Sequence, residues 1–276
     1  MLPEVKIILS RKGFDNTYGG CASPILPDGT MLSMPIPSED DDILYSQLQY
    51  KEINYADMLK QLNPRIKNIT TCHLDPDIRP DIRIKSPENW MPAFGQIGSA
   101  QGLLRNAGVT VGDIFLFFGW FRRVKHTKSG YRFLTKDDSN DFYDSSDLHV
   151  IFGYMQIGRI ITDQSEIRKL SWHPHASEER LKDKTNTIYI ASEKLSICPD
   201  LPGYGTFDYR KDRVLTMEGK NRSVWNAYEF LMPDKIYGNR KNSAKDGGLS
   251  YRGIWQELIV NNVSTELLDW VISIIK

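Results

Sequence analysis

The strongest hydrophobic pattern in the chain is a pair of long apolar runs separated by a polar stretch. In "VGDIFLFFGWFRRV" (111–124), Ile114 to Phe118 are apolar without interruption and follow a Gly-Asp turn. A continuous run of this kind predicts a strand buried on both faces. "LHVIFGYMQIGRII" (148–161) predicts a second long strand, with Gly153 and Gly158 where a bulge or bend fits. The segment between them, 125–147, is polar and predicts an insertion or hairpin tip. Shorter runs, "VKIIL" (5–9), "TNTIYIAS" (185–192), "DRVLTM" (212–217) and "WQELIV" (255–260), predict further strands. "SPILPDGTMLSMPIP" (23–37) predicts a small hairpin turning at Pro27-Asp28-Gly29.

Helical spacing is confined to three places. "YADMLKQL" (55–62) predicts a short helix, and "FGQIGSAQGLLRNAG" (94–108) a longer one stopped by Gly108. "STELLDWVISII" (264–275) predicts an amphipathic helix with Leu267, Leu268, Val271, Ile272 and Ile275 on one face, capped by Ser264 or Thr265. The alternation of strand and helix that marks a doubly wound sheet is absent. The pattern predicts an α+β fold, mainly β, with a barrel-like central sheet and flanking helices in one domain over residues 1–276. Asn239 to Gly248 predicts a mobile loop.

Composition narrows the class without naming it. Lys+Arg and Asp+Glu both number 35, so the net charge is zero and no basic excess points to nucleic acid, although a neutral total can hide a basic face. The three cysteines are far apart and form no CxxC pair, which argues against zinc knuckles and a disulfide framework and for a reducing compartment. No secretory signal pattern and no apolar run of membrane length is present, so the expectation is a cytoplasmic protein without a membrane partner.

Candidate chemistry concentrates in "TCHLDPDIRPDIR" (71–83). Alternate side chains of an extended segment share a face, which would group His73, Asp75 and Asp77 as metal ligands or as an acid–base set. Pro76 instead favours polyproline II geometry, which would splay them. "SWHPHASEE" (171–179) sets His173 and His175 two apart, a spacing open to joint metal ligation or to an ordinary surface loop. His149 opens an apolar strand and reads as a core-edge histidine. "SEDDD" (38–42) reads as an acidic surface loop. Arg11, Lys12 and Asp15 follow a strand and stand beside glycines, a setting that suits phosphate or carboxylate. No P-loop order and no nucleophile elbow is present. Cys21 reads as a buried thiol rather than a nucleophile. "FFGWFRRVKHTKSGYR" mixes Trp120 and other aromatics with Arg122, Arg123, Lys125 and Lys128. That mixture suits a stacked or flipped base, or else a core strand emerging into a solvated basic hairpin.

The blocks "LSRKGFDNTYGGCASPILPDGTMLSMPIP", "CHLDPDI", "GDIFLFFGWFR", "LHVIFGYMQIGRI", "HPH", "NTIYIAS" and "WQELIV" occur in this order. Together they resemble the third of the nucleotide modification associated domain families, from about Val5 to the terminal helix. The resemblance implies work on modified bases or nucleotides in DNA-modification, mobile-element or phage-conflict systems, with DNA or a nucleotide and proteins of such systems as partners. It implies no particular reaction or cofactor. The polar positions it carries over are Arg11, Lys12, Asp15, His73, Asp75, Asp77, Gln96, His149, His173, His175, Gln256 and Glu257. At fold level, the Gly-Asp turn and the two long strands are also similar to the PUA-like barrels that include modified-base readers. Three expectations follow. A protein that recognises or processes a modified base would stack it near Trp120, with Arg122 alongside, hold phosphate with Arg11 and Lys12, and use His73 and Asp75 on the base edge. A metal-dependent nuclease or hydrolase would use the histidines and aspartates as ligands. A non-catalytic subunit of a modification complex would use neither.

Overall fold

The computed structural model describes residues 5–66, 70–238, 244–245, 247–260 and 263–276. Nine strands form one mixed sheet: β1 (Ile7–Arg11), β2 (Ser23–Ile25), β3 (Ala93–Gln96), β4 (Ile114–Thr127), β5 (Gly130–Phe133), β6 (Leu148–Ile161), β7 (Thr187–Ala191), β8 (Tyr204–Thr206) and β9 (Glu257–Val260). The hydrogen-bonded path runs β9-β1-β4-β6-β7-β3, with β8 against β6 and with β2 and β5 against β4. β1 and β2 lie parallel to β4, and the remaining pairs are antiparallel.

The two long apolar runs are the spine of this sheet. Ile114 to Phe118 are fully buried, as uninterrupted apolarity requires. Each of the phenylalanines there contributes about 1.5–3 kcal/mol by leaving water. β6 shifts register between Ile151 and Gly153 and again between Ile157 and Arg159, at its two glycines. At Gly158 a Cβ would stand 2.7 Å from Ser192 Cα, so the bulge depends on close backbone approach. The polar segment after β4 folds back as the β4–β5 hairpin.

The expected barrel does not close. Among the described residues no backbone ladder joins β3 to β9, so the sheet is open along that seam and lends no support to a PUA-like barrel. The sheet curls far enough for Gln96 on β3 to donate to Glu257 on β9 at 2.8 Å. Side chains bridge what backbone does not.

Among the described residues, three helices of eight or more residues flank the sheet, α1 (Tyr55–Leu62), α2 (Gly98–Asn106) and α3 (Thr265–Ile275), beside two shorter helical segments at Phe142–Ser145 and Gln164–Arg168. α3 is capped by Ser264, whose hydroxyl accepts from Leu267 N. Its core face uses Ile274, while Ile272 is only half-buried. Two other expectations are corrected. Residues 94–96, read as the start of a helix, belong to β3, because pairing with β7 overrides local propensity. "DRVLTM" forms a short 3-10 turn and isolated bridges rather than a strand. The expected loop at 239–248 falls mostly outside the described residues. Among the described residues no helix is long and apolar enough to cross a membrane.

A second apolar cluster, including Phe14, Leu32, Tyr45, Tyr55, Leu59 and Cys72, packs beneath α1. It anchors the short ladder between Ile36–Pro37 and Cys72–His73, which carries a histidine to the edge of the main sheet.

Candidate functional site

A cavity of about 730 Å³ opens where β1, β3 and β6 meet the segments that carry His73 and His175. Its volume lies within the range of small-molecule sites. Of the residues singled out in the sequence, Arg11, Lys12, Asp15, His73, Asp75, Gln96, His149, His175 and Gln256 line it. Asp77, Trp120, Arg122, His173 and Glu257 do not.

His73, Asp75 and His175 form the centre, their donor atoms lying within 4.8 Å of one another. His73 Nδ1 donates to Asp41 Oδ2 at 3.0 Å. His175 Nδ1 lies 2.7 Å from Asn186 Oδ1. The Asn186 amide nitrogen already donates to the His175 carbonyl and to Gln164, so its oxygen accepts and Nδ1 carries the proton. Both imidazoles therefore keep the Nε2 lone pair free, and that of His73 stands 3.9 Å from Asp75 Oδ2. Asp75 Oδ1 accepts from Gly95 N at 2.7 Å, leaving Oδ2 available. Two imidazoles fixed through their far nitrogens beside a carboxylate could hold a divalent metal.

His173 supports this set from behind. Its Nδ1 accepts from His175 N at 3.2 Å, so Nε2 carries the proton and faces Asp75 Oδ1 at 3.4 Å, off the line of a good hydrogen bond. The pair therefore does not ligate jointly: a 3-10 turn at Pro174–Ala176 sends one ring to the cavity and the other behind the carboxylate. Burial opposes ionisation of Asp75, but the His173 contact and the surrounding imidazoles hold its carboxyl well below the usual range. Burial also drives His175 well below the usual imidazole value, against the pull of Asp75.

Asp77 leaves the group that alternation predicts. The Asp75–Pro76 peptide is cis, and Asp77 pairs with Arg83 at 2.7 Å. Burial raises its carboxyl against that guanidinium. The basic hairpin is largely neutralised: Arg122 donates to the Leu134 carbonyl, Arg123 pairs with Asp144 and Lys125 with Asp138. One face of Trp120 is covered by the Arg222 guanidinium, 3.8 Å from the ring centre. Cys21 packs in the second apolar cluster, and burial pushes its thiol up to about 12.

A family model described as nucleotide modification associated domain 3 matches residues 6–261. The chain belongs to that family. No curated protein and no solved structure matches. In this nucleotide modification associated domain, the matched span contains all the residues that line the cavity.

Beyond that centre, the cavity of the nucleotide modification associated domain is lined by polar and apolar side chains together and is backed by buried polar groups. Glu257, buried at the seam, accepts from Ser10, Gln96 and Lys12 on one oxygen, and its other oxygen has no partner. Lys12 is thus neutralised and lies 4.2 Å over the Phe94 ring. Asp15 accepts from Thr17 N and Tyr18 N, shaping the loop, and pairs with Arg11 at 3.2 Å. His149 is buried, and its Nδ1 accepts from Trp225 Nε1. Burial, with Arg222 and Arg11 nearby, drives it well below its usual value, so it is a neutral ring with a proton on Nε2.

Sequence reasoning missed Asp41, Asn186, Arg180 and Arg222. Asp41 sits in the acidic run read as a surface loop, yet it is 4% exposed and held by His73 and by Arg180 at 3.0 Å. Burial works against its ionisation, and those partners more than offset it. Spacing carries no signal for such a residue. Gly95 was also passed over: a Cβ there would stand 2.3–2.6 Å from three ring atoms of His175. Gly95→Ala should therefore displace that ring and weaken Co²⁺ binding by about 10–100-fold, the scale of a misplaced ligand shell. Global stability should fall by only about 1–3 kcal/mol. Optical Co²⁺ titration beside chemical denaturation checks both, and unchanged Co²⁺ affinity would count against the ring's role.

Proposed function

We propose that this nucleotide modification associated domain is a divalent-metal enzyme that processes a modified nucleotide or base. The observation that carries the reading is the fixed orientation of the two imidazoles: Asp41 and Asn186 hold His73 and His175 with their Nε2 lone pairs free, beside the Asp75 carboxylate. Three protein ligands leave coordination positions for water and substrate, the arrangement of metal sites that do chemistry rather than hold structure. A metal held by His73, Asp75 and His175 would supply Lewis acidity for activating water, so hydrolysis is the reaction class favoured. The family supplies the substrate context, and the cavity's volume suits one nucleotide unit.

The test is metal content and turnover on one preparation. Elemental analysis should find about one zinc, iron or manganese per chain. A panel of plain and base-modified nucleotides and oligonucleotides, followed by mass spectrometry, should yield a product that disappears with chelator and returns with added metal. Failure to bind any of these ions at micromolar concentration, or turnover indifferent to chelator, would sink the proposal.

A further inference from the structure

The metal proposal makes no use of the cationic corner of the same cavity. Arg11 and Arg222 both line it and lie close enough to influence one another electrostatically. The only carboxylate in salt-bridge contact with either, among the described residues, is Asp15, which pairs with Arg11. Arg222 is stacked on Trp120 and donates to Asn16 Oδ1 at 2.8 Å, so its plane is fixed. The other two cations on the wall, Lys12 and Arg180, are matched by Glu257 and Asp41. Asp147 also acts on Arg222 from farther off but is paired with Arg122 at 3.7 Å, so one positive charge is left over at this corner. His149, 5% exposed, adds a neutral N–H donor, because Trp225 holds its other nitrogen.

Two oriented guanidiniums and a fixed imidazole N–H, in a partly desolvated corner, form an anion site. Two of the chain's exposed large apolar side chains stand beside it. Tyr18, 51% exposed, belongs to the same loop as Asn16. Ile254, 82% exposed, follows Gly253, whose Cβ position is 3.9 Å from the Arg11 guanidinium. Both line the cavity. An aromatic face beside an anion site matches a base joined to its phosphate rather than a bare anion.

We propose that Arg11, Arg222 and His149 form a phosphate subsite, so that the cavity takes a phosphorylated nucleotide and holds it independently of metal. The substrate class of the preceding section is refined by this, and the subsite rests on that reading only for its link to turnover. The probes are dTMP and thymidine, titrated by calorimetry into chelator-treated protein. Wild type should bind dTMP about 10–100-fold more tightly than thymidine, the range of charge-assisted hydrogen bonds. Arg222→Ala should erase the preference and leave thymidine affinity in place, whereas Tyr18→Ala should weaken both ligands alike. Retained Co²⁺ binding in each variant shows that the fold is intact.

A short single-stranded oligonucleotide in the same titration separates the sources of phosphate. Arg222-sensitive binding of the oligonucleotide supports a strand phosphate, and its absence beside dTMP binding supports a free nucleotide. Equal affinity for dTMP and thymidine, or a preference that survives Arg222→Ala, overturns the subsite. Phosphate preference without Co²⁺ binding would instead overturn the metal reading and leave the subsite standing.

Discussion

Asp75→Asn should cost the protein at least about 100-fold in divalent-metal affinity, since metal ligation depends on a deprotonated carboxylate and Asn offers a neutral oxygen. The fold should survive. Asn is isosteric, and its oxygen can still accept from Gly95 N, the bond that places residue 75 against β3. Turnover should fall with metal occupancy. Asp77→Asn separates this grouping from the one that alternation suggests. It should leave metal affinity unchanged while destabilising the protein, because Arg83 loses its buried partner. Equal loss of metal in both variants would show that the ligand set is wrong. Parallel Co²⁺ titrations and denaturant melts distinguish the outcomes.

The largest expected loss of stability lies at the seam. Glu257→Ala removes the acceptor shared by Ser10, Gln96 and Lys12 and leaves a mostly buried ammonium unpaired. Breaking a buried ion pair from one side costs about 3–5 kcal/mol. In a chain of this size that lowers Tm by roughly 10 °C. Glu257→Gln keeps one acceptor oxygen for Ser10 and Gln96, so its cost should be confined to the stranded Lys12. Lys12→Met in that background should restore much of the loss, because neither charge then remains buried. If the two single losses simply add in the double variant, the pair does not couple and this account of the seam fails.

Those two sites show where the sequence was legible. The helix at Tyr55–Leu62 and the two long strands follow from local pattern, because their apolar positions face a core built from neighbouring segments. The glycine bulges of β6 were equally visible, since a bulge needs a residue type as well as a place. Phe94–Gln96 was misread because a four-residue strand beside a helix carries too little periodicity to show that β7 pairs with it. At the site, residue chemistry grouped His73 with Asp75 and Asp77, and His175 with His173, but did not show that His73, Asp75 and His175 come together. Asp77 shares the spacing of a ligand and pairs with Arg83 instead. Asp41 lies in a run of acids that pattern assigns to solvent, and the pairing of its flanking segments with Thr71–His73 turns it inward to His73. Such roles depend on contacts between distant segments, and a linear pattern does not encode them.

The seam also sets an order in which the working protein can be assembled during synthesis. His73, Asp75, His175 and their supports Asp41 and Asn186 all lie within residues 41–186. The clamp on Lys12 lies 245 positions further along, at Glu257, and Arg11 N donates to the carbonyl of Gln256. Contacts at such separation form late, since closing the loop between them is entropically costly. The residues proposed to hold the ion are therefore synthesised well before the strand that pins the wall carrying Arg11 and Lys12. The cavity wall is completed only when β9 has left the ribosome.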